Sequence, residues 1–213
     1  MFVAVEGPDF AGKTTLCKAL AEAWPAAFNR KPEDLVTARE PGGTPFGERL
    51  RSLLFEERRG AATELHLFSA ARCELVSKVI RPALEAKKDV LLDRYWLSTV
   101  AYQGVQLWPT LQAIPTVESL AHMMKWPQAF TVVVISPPEV IMRRMKARAE
   151  ETANPFDPNS ETEVIKQIKT YQQCLAYLRL KSDMGVLRVS GEDEALPITV
   201  ELIIKQLTQR FSQ

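Results

Sequence analysis

The sequence predicts an α/β fold, a five-stranded parallel sheet with helices on both faces, on three observations. Short β-branched and aliphatic runs alternate with longer stretches whose apolar residues recur at helical spacing. The stretch GPDFAGKTT, Gly7 to Thr15, stands between an apolar run, Phe2-Val3-Ala4-Val5, and a helical one, Leu16-Cys17-Lys18-Ala19-Leu20. Charged clusters follow directly on apolar runs, at the carboxyl ends of strands where parallel sheets bind their ligands.

Taken in order, a first strand at Phe2–Val5 leads into a helix from about Gly12 to Trp24, expected to stop before Pro25. Leu35–Ala38 reads as a strand that ends in Arg39-Glu40-Pro41-Gly42-Gly43-Thr44. Phe46, Leu50, Leu53 and Leu54 indicate a helix from Pro45 to about Phe55, and a longer one is expected from about Ala62 to Ala86. Val90-Leu91-Leu92 is a buried-type strand delivering Asp93-Arg94-Tyr95. Helical material is expected over Ser98–Gly104, then a loop with Pro109 and Pro115, then a helix over Val117–Lys125. The β-branched run from Thr131 predicts a strand to Ser136, and Pro137-Pro138 open a helix that carries Arg143, Arg144, Lys146 and Arg148. Residues 149–160, AEETANPFDPNS, have two prolines and no periodicity, so the segment at about 143–160 is expected to be a mobile lid. A helix over Glu161–Leu180, a strand over Gly185–Val189 and a closing helix over Leu196–Phe211 complete the chain.

With 213 residues, 46% hydrophobic and 25% charged, the chain suits one well-packed domain, 1–213. A net charge of +1 argues against nucleic acid or an anionic membrane as partner. Cys17, Cys73 and Cys174 are odd in number and far apart, which fits reduced thiols. There is no charged-then-apolar leader at Met1 and no apolar run reaches the roughly 18 residues of a membrane span, so a cytoplasmic protein is expected.

Gly7, Gly12, Lys13 and Thr14 fit G-x-x-x-x-G-K-[ST]. Glycines let the backbone wrap closely around phosphates with its N–H groups pointing inward, and the helix that follows adds its N-terminal partial charge. Lys13 supplies a cation for the outer phosphates, and the Thr14 hydroxyl is a hard oxygen suited to Mg²⁺. Asp93, at the end of a buried strand, is the second candidate for Mg²⁺. Arg94, Arg39 and Arg72 would converge on the same sheet edge, three guanidinium forks suited to a second, phosphate-bearing substrate.

Five segments then resemble the thymidylate kinases, P-loop nucleoside monophosphate kinases, of bacterial and phage type: EGPDFAGKTT, TAREPGGTPFGERLRSLL, LHLFSAAR, VIRPALEA and DRYWLSTVAYQG. The resemblance implies phosphoryl transfer from ATP to dTMP, with Mg²⁺, in a homodimer formed through helices that include the one at Ala62–Ala86. For ATP it implies Gly7, Asp9, Ala11, Gly12, Lys13, Thr14 and Thr15. For dTMP it implies that Phe68 stacks on thymine, Arg72 donates to its carbonyl edge, Ser98 and Thr99 lie along the base with Gln103, and Arg39 and Arg94 hold the phosphate. Asp9 would contact the sugar 3′-hydroxyl and Tyr102 would press on the 2′ position; Glu40-Pro41 resembles the family's tight, often cis, turn.

The chain departs from the family pattern in two places. Position 10 is Phe where one branch has arginine, and the family's Asp-Arg-hydrophobic-Glu lid element is replaced. The basic run of the preceding helix is the substitute source of a cation on the transferred phosphoryl, ranked Arg148 and then Arg144, with Arg143 stacked on adenine. The competing functions are a deoxynucleoside monophosphate kinase of broader base choice and a non-catalytic P-loop nucleotide-binding protein.

Overall fold

Apolar runs without alternation belong at the centre of a parallel sheet, where helices cover both faces. In the computed structural model, which describes residues 1–148, 155–181 and 185–211, they take that place. Strand β1 (Phe2–Glu6) lies between β3 (Asp89–Asp93) and β4 (Phe130–Ile135), with β2 (Leu35–Arg39) and β5 (Val186–Ser190) at the edges. Every pairing is parallel, and Val3, Val5, Val90, Leu92, Val132 and Val134 are completely buried. Helix α1 (Lys13–Phe28) packs on α10 (Leu196–Phe211) and on β1 to β3, whereas α9 (Glu161–Arg179) packs on α7 (Thr110–Met123), α8 (Pro138–Arg148) and the other strands. The expected five-stranded parallel α/β sheet is present.

The register places the site. Asp93 pairs with Val5 on one side and Arg39 on the other, so the loop after Glu6 and both charged strand ends share one edge. From β1 the chain goes to β2 and β3 on one side and later to β4 on the other, which opens a crevice at the end of β1.

Three helices differ from expectation, each at a proline. Helix α1 does not stop before Pro25 but runs to Phe28, ending at Asn29 in the left-handed conformation with its N–H on the Pro25 carbonyl. Pro25 removes one backbone bond; the buried Trp24 outweighs it, packing at a tilt 4.7 Å from Phe28 and donating its indole N–H to Asp89 at 2.9 Å. Pro115 likewise lies inside α7, where a loop was expected, because Ala113, Ile114 and Val117 are buried around it. The long helix is divided: α3 (Ala61–Leu75), a π-helical turn Val76–Ile80, and α4 (Arg81–Glu85). Pro82 has no N–H to offer the preceding turn, and the wider π turn accommodates its ring. Helix α2 (Pro45–Glu56) starts on a Thr44 cap that accepts the Gly47 N–H at 2.9 Å. A second π turn, Val100–Gly104, joins α5 (Trp96–Thr99) to α6 (Val105–Leu107). Of the expected lid, residues 149–154 lie outside the described residues.

Candidate active site

The phosphate loop takes its shape from its glycines. Gly7 (φ 147°) and Gly12 (φ 96°) lie in the region that disfavours side chains, and a Cβ on Gly7 would collide with the Val134 carbonyl. Lys13, 6% exposed, folds back to donate to the Pro8 carbonyl at 2.6 Å. Burial, and then the positive charge of Arg94, push its ammonium down to about 8. Lys13 is therefore cationic in the free protein below about pH 8 and loses its charge above it, while a bound polyphosphate raises that midpoint. The expected result is that kcat/KM for ATP falls as pH rises through about 8, with kcat at saturating ATP unaffected over that range; initial rates across pH check it.

Thr14 donates through Oγ1 to Asp93 Oδ2 at 2.7 Å, so the two hard oxygens expected to hold a metal are together. Among the described residues no cluster of three His, Cys, Asp or Glu side chains forms a protein-only metal cage. Such a pair suits Mg²⁺ that completes its coordination with phosphate oxygens and water.

Asp9, Arg94 and Tyr102 meet beside the loop. Arg94, in the left-handed conformation (φ 72°), pairs with Asp9 Oδ1 and donates to the Gly7 carbonyl (3.3 Å) and to Ser98 Oγ (3.1 Å). Tyr102 donates its hydroxyl to Asp9 Oδ2 at 2.5 Å. Burial alone would raise the Asp9 carboxyl, but Arg94, Lys13 and the Tyr102 hydroxyl outweigh it and hold Asp9 below the usual carboxylate range. Beneath them Glu6, 1% exposed, accepts the backbone N–H groups of Tyr95 (2.9 Å) and Ser98 (3.2 Å) and the Ser98 hydroxyl (2.6 Å). Glu6 thus shapes the turn that aims Arg94, a role no linear pattern revealed; its only signal was a carboxylate closing an apolar strand.

One cavity of about 400 Å³ runs from the phosphate loop to an aromatic compartment. Asp9, Gly12, Lys13, Thr14, Thr15, Arg39, Phe68, Arg72, Asp93, Arg94, Ser98, Thr99, Tyr102, Gln103, Arg144 and Arg148, all anticipated from the sequence, line it. Gly7 and Ala11 are buried within the loop and do not line the cavity, and Arg143 is exposed on α8 outside the lining.

Arg72 is 1% exposed. Its guanidinium donates to Glu40 (2.7 Å from Nε), to the Thr99 hydroxyl (2.9 Å) and to the Tyr95 carbonyl (3.0 Å), and lies 4.8 Å over the Trp126 ring. With Nη2 also paired to Glu40 Oε2 at 2.5 Å, these contacts leave one Nη1–H for a ligand. Burial pushes the Glu40 carboxyl up to about 7 against the pull of Arg72, and Glu40 Oε1 has no hydrogen-bond partner. The Glu40–Pro41 peptide is cis, and Arg51, which sequence reasoning passed over, donates to the Pro41 carbonyl at 3.1 Å and joins the lining.

Gln103, 1% exposed, donates Nε2–H to Glu64 Oε2 at 3.3 Å. Burial works to raise the Glu64 carboxyl, but hydrogen bonds from Arg58, the Arg59 N–H and Gln103 hold it low and ionised. An ionised carboxylate only accepts, so the amide nitrogen must face Glu64 and leaves the Gln103 carbonyl as the acceptor of this compartment.

The basic helix is resolved residue by residue. Arg144 is bonded to the carbonyls of Phe10 (3.1 Å) and Gly191 (2.8 Å) and to Asp193 (2.7 Å), so it braces the phosphate loop. Arg148 lies 5.2 Å over the Phe10 ring and 4.0 Å from Asp157, at the cavity. Phe10 thus supplies a platform for a cation from α8. Three further lining residues were missed, Phe55, Phe156 and Asp193; the one signal for Phe156 was a lone aromatic in an otherwise polar stretch.

The family model described as thymidylate kinase matches residues 5–196. Across its whole length the chain is 33% identical to the thymidylate kinase of Mycoplasma pneumoniae, covering 96% of that protein. It is 38% identical to that of Chlorobium luteolum, covering 99% of it. The crystal structure of thymidylate kinase from Ehrlichia chaffeensis superposes with a TM-score of 0.73 at 25% identity, each chain covered to 98%. The chain belongs to the thymidylate kinase family.

Proposed function

We propose that the protein transfers the γ-phosphoryl group of ATP to dTMP, giving ADP and dTDP for dTTP synthesis. The observation that carries this reading is the single cavity with a phosphate loop at one end and a thymine-complementary compartment at the other. Thymine presents an O4 acceptor next to an N3–H donor; the free Nη1–H of Arg72 and the carbonyl of Gln103 match that pair, and cytosine inverts both. Phe68, half-buried, offers its ring to the base.

Phosphoryl transfer asks for alignment and charge neutralisation more than covalent chemistry. Lys13 and the loop N–H groups hold the outer phosphates of ATP. Thr14 and Asp93 would hold Mg²⁺, which supplies charge neutralisation on the β- and γ-phosphates. Arg39 and Arg94 orient the acceptor phosphate, whose oxygen is already ionised and needs no general base. Arg148 is the cation of α8 best placed to reach the transferred group, with Arg144 fixing the loop beneath it. Asp9 and Tyr102 take the sugar, the carboxylate toward its 3′-hydroxyl and the ring against C2′. Exclusion of water by the segment at about 143–160 keeps ATP from hydrolysing.

One domain, a homodimer and a cytoplasmic location belong to the same reading. For dimer packing, α3 exposes Ala62, His66 and Ala70 at successive helical turns, a flat face suited to another helix. No helix among the described residues is long and apolar enough to cross a membrane. Label transfer tests the function: with γ-labelled ATP and dTMP the label must appear in dTDP. Label found only in inorganic phosphate would contradict transfer.

A further inference from the structure

Arg58 follows α2 and touches both halves of the base compartment. Toward the interior its Nε and Nη2 donate to the two oxygens of Glu64 at 2.8 and 3.1 Å. Glu64 is completely buried and also accepts Gln103 Nε2–H and the Arg59 N–H (3.0 Å), and this fork supplies the one positive charge among its donors, which favours the ionised carboxylate that orients the base-reading amide. Toward the outside, Arg58 Nη1 donates to the Pro155 carbonyl at 3.4 Å and the guanidinium lies 4.5 Å over the Phe156 ring. Phe156, 9% exposed, meets Phe68 edge-to-face at 5.5 Å and Phe55 at 5.7 Å, and the three rings line the same cavity as Gln103.

We propose that Arg58 is a positioning residue for acceptor-base choice, joining the Gln103 amide, through Glu64, and the Phe156 ring into one compartment. The inference rests on the dTMP-kinase reading of the cavity. Without the guanidinium, a carboxyl as buried as Glu64 takes up a proton and becomes a donor. A protonated Glu64 can donate to Gln103 Oε1, and the amide then turns its NH₂ into the cavity. That face suits the N3 acceptor of cytosine and repels the N3–H of thymine. In the same variant Phe156 loses the cation on its face and the hydrogen bond that fixes Pro155.

Equilibrium binding of dTMP and dCMP by calorimetry, together with turnover, tests this on full-length wild type, Arg58→Met, Phe156→Leu and the double variant. Arg58→Met is expected to weaken dTMP about 10-fold and to shrink the dTMP-over-dCMP preference by about 10-fold, with KM for ATP unchanged. Phe156→Leu is expected to weaken dTMP with little change in the preference, and the double variant to fall short of the product of the two single effects. A preference unchanged in Arg58→Met, whatever its Tm, overturns the proposal and leaves Arg58 as a counter-ion only. Should Arg58→Met not fold, Glu64→Gln, which can offer Gln103 either a donor or an acceptor, must show the same loss of preference; an unchanged preference there also overturns it. Wild type that binds dTMP selectively but does not turn it over defeats the kinase reading alone, and wild type without selectivity defeats both.

Discussion

Lys13→Ala lowers kcat about 1,000-fold and leaves the fold intact. Lys13 opens α1 with its ammonium tucked against the Pro8 carbonyl, within the sphere of Asp9, Asp93 and Glu6. Its charge compensates for the most anionic part of the reacting system, where negative charge accumulates as the phosphoryl group moves. Truncation to alanine keeps a good helix former at the first position, and the Pro8 carbonyl keeps the Ala11 N–H as a partner at 3.4 Å, so the stability cost is small. Steady-state kinetics with dTMP and a thermal melt check the two halves. A variant that keeps more than a tenth of wild-type kcat contradicts the role, and one that is unfolded contradicts the stability argument.

Arg94→Met produces a loss of the same order, about 1,000-fold in kcat/KM for dTMP, from a different cause. The Arg94 fork is shared between Asp9, the Gly7 carbonyl and Ser98, so it connects the phosphate loop to α5. Removing it also leaves Asp9, whose side chain is only 19% exposed, without its main counter-charge. Asp9 is then free to draw Lys13 away from the nucleotide. Adding Asp9→Asn to Arg94→Met removes that misplaced charge and is expected to recover about 10-fold of the loss. If the second substitution deepens the defect by at least the loss that Asp9→Asn causes in the wild-type background, Arg94 acts on the substrate phosphate alone and not on the charge balance of the loop.

The charged edge of the sheet was legible because its residues lie in short contiguous segments. The phosphate loop declares itself by glycines at positions of positive φ, and the charged ends of β2 and β3 follow apolar runs that fix their place on the sheet. Packing against partners far along the chain was not legible. Pro25 and Pro115 stay inside helices because Trp24, Ile114 and Val117 are buried from both sides, which no local propensity reveals. The roles of Glu6, Arg51 and Arg58 depend on carbonyls, hydroxyls and carboxylates brought to them by the fold. The basic run of α8 could be ranked by charge but not by reach: Arg143 is exposed, Arg144 is tied to backbone carbonyls, and only Arg148 stands over Phe10 at the cavity.

On the proposed reading one cavity holds both a thymine-reading compartment and an ATP phosphate site. The most direct test of that reading is ADP release with Mg²⁺ and ATP against dTMP, dUMP, dCMP, dGMP, UMP and CMP, compared as kcat/KM. The account predicts dTMP as the best acceptor, with dCMP at least about 100-fold poorer because it inverts both hydrogen bonds to Arg72 and Gln103. Equal use of dTMP and dCMP, or no acceptor-dependent ADP at all, would contradict it.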